Sequence, residues 1–189
     1  MTTDLNPTMV IVAVALLVVI LVAIWMYMQK RRTQTLRSKF GPEYDKTVLT
    51  VGDRGHAEAE LDQRAKRVAK FDIHPLTREE QAQFAEAWRR EQALFVDDPA
   101  GAVKNADNLV QDVMKRRGYP VGDFNQNAAD LSVDHPLVVE NYRIAHDIAL
   151  LDEQGRASTE DLRKAMQSYH ILFDDLLDQP VRRPVEVRR

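Results

Sequence analysis

The 189-residue sequence contains no cysteine. That removes disulfides, thiolate zinc sites and thiol nucleophiles, and it is compatible with a reducing compartment without demanding one. Glycine is scarce, at 7 residues, and nowhere do glycines and a lysine take the spacing that cradles a phosphate. Sustained apolar alternation, the mark of a half-buried strand, is missing throughout. The most informative gap is one of charge. From Met9 to Met28 the chain reads MVIVAVALLVVILVAIWMYM, without a charged residue, a glycine or a proline.

What fills that gap is apolar and long enough to cross a bilayer. Twenty residues at 1.5 Å each match a hydrocarbon core of roughly 30 Å. Val, Ile and Leu supply 12 of them, each favouring insertion by roughly 0.3–0.6 kcal/mol. Nine of these are β-branched, yet a lone strand in lipid would leave its backbone unpaired, so the bilayer selects helix. A cleaved secretory signal would need a basic start, a shorter apolar core and small residues at its end. Only Asp4 is charged ahead of the run, and Trp25-Met26-Tyr27-Met28 leads straight into Gln29-Lys30-Arg31-Arg32. The expectation is a retained transmembrane helix.

Charge asymmetry orients it. Lys30, Arg31, Arg32, Arg37 and Lys39 follow the run and no Lys or Arg precedes it, which predicts an outside N-terminus and a cytoplasmic C-terminal domain. Trp25 and Tyr27, with Lys30, Arg31 and Arg32, form the expected membrane interface. Ala13, Ala15 and Ala23 are not spaced four apart, so the small-residue dimer signal is absent.

The near-neutral total conceals a polarised layout. Setting aside the first 39 residues (five basic, one acidic) and the last 11 (four basic, one acidic) leaves 17 basic and 27 acidic residues, a net −10. A domain so acidic is a poor match for nucleic acid, which needs a basic face to displace counterions. Solubility and spacing from an anionic bilayer account for the charge more simply. The basic stretch from Lys30 to Lys39 and the tail residues Arg182, Arg183, Arg188 and Arg189 offer contact with anionic lipid.

Beyond the anchor the periodicity is helical. The membrane helix is expected to run on to Gly41-Pro42, with a short helix from Pro42 to about Thr50 and a charged one from about His56 to Lys70. The narrow stripe Ala57, Leu61, Ala65 and Val68 predicts that this charged helix is peripheral. Thr77-Arg78-Glu79-Glu80 is a capping box, opening a helix with Phe84, Trp88 and Phe95 on one face. Val96-Asp97-Asp98-Pro99 ends it and caps the next, in which Val103, Ala106, Val110 and Val113 share a face. A short helix is expected from Phe124 to about Asp130. Ser132 or Asp134 then caps another, whose Leu137, Ile144, Ile148 and Leu151 stripe adjoins Val138, Tyr142, Ala145 and Ala149. Ser158 or Thr159 caps the last, with Leu162, Met166, Tyr169, Phe173 and Leu176 inward. His-Pro-Leu occurs at His74 and at His135, read as a shared helix start with proline in the first turn.

The fold class is therefore all-α: one N-terminal transmembrane helix followed by a soluble antiparallel helical bundle. Residues 1–8 form a short tail, 9–28 the transmembrane helix, 29–55 a basic juxtamembrane segment and short helix, 56–178 the helical domain and 179–189 a disordered basic tail.

Chemistry is harder to find. Ser132, Asp134 and His135 are too crowded along the chain for an in-line triad, and helix capping explains them better. No two of the five histidines lie four apart. His146 with Asp147 and Glu140 is the best remaining metal-binding cluster, dependent on His135 and His170 converging with it, and a helix-edge histidine is the simpler reading. Tyr119, Pro120, Val121 and Phe124 form a locally apolar candidate partner surface if exposed. Folding back over the bundle end is the stronger expectation for them.

The blocks RRTQTLRSKFGPEYDKTV, FVDDPAGAV, RRGYPVGDF, AADLSVDHP, VVENYRIAH and STEDLRKAM, spread from Arg31 to about Leu177, together resemble an uncharacterised family of small bacterial single-pass membrane-anchored proteins with an all-α soluble domain. The resemblance implies a bacterial cell membrane and the same helical domain, and no activity, cofactor, ligand or catalytic residue. By elimination the expected role is a non-enzymatic adaptor or scaffold for cytoplasmic protein partners. A membrane-tethered enzyme or metal-binding domain and a lipid-surface sensor are the alternatives.

Overall fold

The structure is a computed structural model that describes residues 7–178, with side chains from Val14 onward. Among the described residues every regular element is a helix: α1 (Pro7–Phe40), α2 (Pro42–Val51), α3 (Arg54–Val68), α4 (Arg78–Leu94), α5 (Pro99–Arg116), α6 (Phe124–Asp134), α7 (Val139–Glu153) and α8 (Thr159–Asp178). The tail expected at 179–189, with its four arginines, lies outside the described residues, as do residues 1–6.

Helix α1 is continuous for 34 residues. It is long and apolar enough to cross a membrane, and its apolar window has no share buried against the rest of the protein. Its last two turns behave differently. Leu36 and Phe40, spaced so as to share a face, enter a core with Tyr44, Leu61, Val68 and Val133. Gly41 then breaks the helix at φ 49°, a left-handed backbone that glycine adopts without a Cβ penalty, and Pro42 opens α2.

A second, larger core lies among α4–α8. Val103, Ala106, Val110 and Val113 of α5 meet Leu162, Met166, Tyr169, Phe173 and Leu176 of α8, and Tyr142, Ala145 and Ile148 of α7 close the remaining side. Caps secure these helices as their residues dictate. The Thr77 hydroxyl accepts from the Glu80 amide while the Glu80 carboxylate accepts from Thr77, Asp98 accepts from the Gly101 amide, and Ser158 and Asp161 make the same reciprocal pair. Phe71 and Ile73, in the α3–α4 connection, pack against both cores.

Five expectations are corrected. Helix α3 is not peripheral: Ala57 and Leu61 are fully buried, because its narrow stripe seats on α2, α6 and the end of α1. Helix α6 runs past Asp130 to Asp134, since Leu131 and Val133 continue its apolar side into the two cores. Ser132 and Asp134 therefore end one helix and cap nothing; Val138 holds the α7 cap position without a side-chain bond. Leu137 is not in the core stripe and stands 76% exposed. It lies in the turn that Pro136 imposes, because proline lacks the amide a continuing helix requires. The two His-Pro-Leu tripeptides differ accordingly, Leu76 being buried, and both prolines precede the cap of the following helix and stand outside its first turn.

Candidate functional site

The most developed polar feature is a cleft of about 280 Å³ between α2, α3, α6 and α7. Helix α2 lines it with Glu43, Lys46, Thr47, Thr50 and Val51, a set at i, i+3, i+4, i+7 and i+8 that shares one face. Glu60 and Arg64 of α3, Asn125, Ala128 and Ala129 of α6 and Arg143 of α7 complete the lining. Glu43 is the pivot and is only 4% exposed. Its Oε1 accepts from Arg64 Nη1 at 3.0 Å and from Arg143 Nη2 at 2.7 Å, and its Oε2 accepts from Arg143 Nη1 at 2.9 Å. The Arg143 contact is a two-pronged fork, the strong geometry for guanidinium and carboxylate.

The pairing extends outward. Arg64 Nη2 donates to Glu60 at 2.5 Å, Arg143 Nη1 donates to Glu140 at 3.2 Å, and Lys46 also bonds Glu140. Burial works against the Arg143 charge, but Glu43 and then Glu140 outweigh it and hold the guanidinium above its ordinary pKa. Burial likewise opposes ionisation of Glu140, and the bonds from Lys46 and Arg143 reverse that, leaving its carboxyl below the usual range. Arg143 and Glu140 are thereby both held in their charged forms. A network of such bonds fixes α2, α3 and α7 against one another.

A second cluster lies at the junction of α5, α6 and α8. His135 Nδ1 bonds the Asp175 carboxylate, the Tyr119 hydroxyl donates to Asp134 Oδ2 at 2.9 Å, and the buried Arg117 donates from Nη1 to the Leu176 carbonyl at 2.7 Å. Burial and then the Asp134 charge push the Tyr119 phenol far up, while burial lowers the Arg117 guanidinium against the pull of nearby anions. Ser132 turns away from His135: its hydroxyl donates to the Ala129 carbonyl at 2.7 Å and lies 3.4 Å from Arg64 Nη1.

The histidines weighed for metal do not share a partner. His146 stacks on Phe124 with ring centroids 3.6 Å apart, His170 stacks on Trp88 at 4.9 Å, and His135 holds Asp175. Among the described residues no group of three or more His, Cys, Asp or Glu is placed to hold a metal ion. Of the apolar loop, Tyr119 is buried, Val121 and Phe124 are half-buried against the larger core, and Pro120 alone is exposed. Trp25, Tyr27, Lys30, Arg31 and Arg32 are all on the surface or nearly so, with the Arg31 guanidinium 5.2 Å over the Tyr27 ring and Arg32 4.0 Å from Asp62.

Sequence reading missed the Glu43, Arg64 and Arg143 constellation because 21 and 100 residues separate the partners. Only the local pairs Glu60 with Arg64 and Glu140 with Arg143, one helical turn apart, left a trace. Compared with known protein families, with curated proteins and with solved structures, the chain finds no match in any of the three.

Proposed function

We propose that the protein is a membrane-anchored, non-enzymatic adaptor. In this reading α1 crosses a bacterial cell membrane with its N-terminus outside, and an antiparallel helical bundle of acidic surface is presented to cytoplasmic protein partners. The observation that supports it is the passage of α1, without a break, from an apolar run exposed along its whole described length into the core around Phe40. A helix shared between bilayer and domain fixes the height and facing of the domain, which is what a scaffold requires. Exposed large apolar side chains at Leu49, Val96 and Leu137 offer contact points on the domain. The family resemblance contributes the bacterial membrane, and Trp25, Tyr27 and the cluster from Lys30 to Lys39 contribute the orientation.

A photoreactive residue at position 49, 96 or 137 of the full-length protein in its native membrane tests the reading. A discrete, reproducible crosslinked protein at one of these positions is the expected outcome; crosslinks to lipid alone at all three refute the adaptor. A reporter fused after Arg189 is expected to be active in the cytoplasm, and activity outside overturns the orientation.

A further inference from the structure

We propose that the cleft between α2, α3, α6 and α7 binds a phosphate or phosphomonoester on Arg64, Arg143 and Lys46. The site is independent of the adaptor reading, since it uses neither the exposed apolar residues nor the orientation of α1.

Three observations carry it. The first is donor supply. A guanidinium has five N–H groups. Arg143 directs three bonds to Glu43 and Glu140, and Arg64 three to Glu43, Glu60 and Ser132, which leaves two N–H groups on each without an acceptor among the described residues. The second is preorganisation. Glu43, itself buried, holds both guanidinium groups with 18% and 20% of their side chains still accessible, so the forks are fixed before a ligand arrives. Both Glu43 oxygens are already occupied, and Glu43, Glu60 and Glu140 balance Lys46, Arg64 and Arg143, so an incoming anion is recognised by the remaining N–H groups and not by an excess of charge. The third is space. Ala128 and Ala129 present only methyl groups where larger side chains would close the cleft. Its volume lies just below the roughly 300 Å³ at which drug-sized pockets begin, which suits a tetrahedral oxyanion with a small substituent. Asn125 at the rim adds an amide donor.

A phosphate group has two sources, a soluble molecule and a lipid headgroup. Helix α2 begins beyond Phe40, about 18 Å along the α1 axis from Met28 at 1.5 Å per residue, so the aqueous side gives the direct approach.

Thermal unfolding of the full-length protein in phosphatidylcholine nanodiscs, with inorganic phosphate titrated against chloride at equal ionic strength, tests the site. Saturating phosphate is expected to raise Tm by roughly 5–10 °C. Ala129→Leu, which fills the cleft and leaves the Glu43 pairs intact, should reduce phosphate affinity at least tenfold. Lys46→Met, which removes a cation at an accessible position, should weaken it several-fold and serves if the first variant does not fold. A shift in phosphatidic acid nanodiscs without added phosphate, lost in the same variants, assigns the site to a headgroup. Stabilisation no greater than that by chloride, with no phosphatidic acid effect, overturns the proposal, as does a phosphate effect undiminished in both variants.

Discussion

Removing the C-terminal end of α1 should unfold the part of the domain that α1 helps to build. The comparison is between a fragment beginning at Gln29 and one beginning at Gly41. The longer retains Leu36 and Phe40, 6% and 0% exposed, together with Thr33, whose hydroxyl donates to Glu58 Oε1 at 2.7 Å. The buried Glu58 also accepts from the Tyr44 hydroxyl at 2.8 Å, so the cut removes one of its two donors. Truncating a buried Phe costs about 3–5 kcal/mol and a buried Leu about 2–5. Here the vacated site opens to water instead of leaving a sealed void, which puts the sum near the lower end, about 4–6 kcal/mol. Set against a typical total of about 5–15 kcal/mol, that is enough to release α2 and α3. Urea unfolding followed by circular dichroism should give the shorter fragment a lower midpoint and, because less surface remains to be exposed, a smaller slope. In the full-length protein Phe40→Ala should lower Tm by roughly 6–15 °C. Equal midpoints and slopes for the two fragments would refute the shared core and reduce α1 to a tether.

Glu43→Gln leaves two guanidinium groups without their buried counter-charge and should destabilise by about 3 kcal/mol; in a double-mutant cycle with Arg143→Met, a coupling below about 0.5 kcal/mol would contradict the fork. Gly118 has φ 93°, and a Cβ there would lie 2.1 Å from the Asp72 carbonyl oxygen, so Gly118→Ala should cost about 3 kcal/mol or more. Gly122→Ala, with nothing within 4 Å, should stay within about 0.5 kcal/mol, and similar melting of the two variants would disprove the close approach. Two carboxylates should act oppositely with pH. Glu140, held below its ordinary pKa, binds fewer protons folded than unfolded, so its stabilisation is present above about pH 4.5 and is lost as pH falls through the folded value. Asp130, raised by burial with Arg67 only partly offsetting it, weakens the fold as pH rises past about 3.8. Asp130→Asn should therefore stabilise at about pH 7, with the gain vanishing below about pH 3.8, and a loss at neutral pH would show that Arg67, Gln126 and Arg64 together compensate the buried charge.

What the sequence made legible was what lies within one helix. The five-residue stripe of α8 and the four-residue stripe of α5 are all buried, and the Thr77 capping box forms as written, because spacing and capping are decided within a few residues. What a face meets is decided elsewhere. The stripe of α3 looked too narrow for a core, yet it is matched by Leu36 and Phe40, which the sequence places in a basic juxtamembrane stretch. Leu137 fits the α7 periodicity and still faces water, because the turn at Pro136 starts the helix two residues later. The cleft was invisible for the same reason: Glu43 and Arg143 each look like ordinary surface charges until α2 and α7 are brought together.

The position of that ion-paired cluster bears on how α1 is coupled to the rest of the chain. Two cores meet across Phe71 and Ile73, an apolar seam that is non-directional and tolerates sliding. The Glu43 fork joins α2 to α7 and α3 with bonds that require one register. Buried charge pairs of this kind add little net stability over a hydrophobic replacement, and fixing geometry is the use to which they are best suited. Here the bonds they make set the register of α2 and α3 against α7. A variant with Glu43, Arg64 and Arg143 all replaced by apolar residues should therefore melt close to the parent while the spread of distances between spin labels at Arg37 and Arg156 broadens. A lower Tm with an unchanged distance distribution would mean that the apolar seam, not the charges, sets the register.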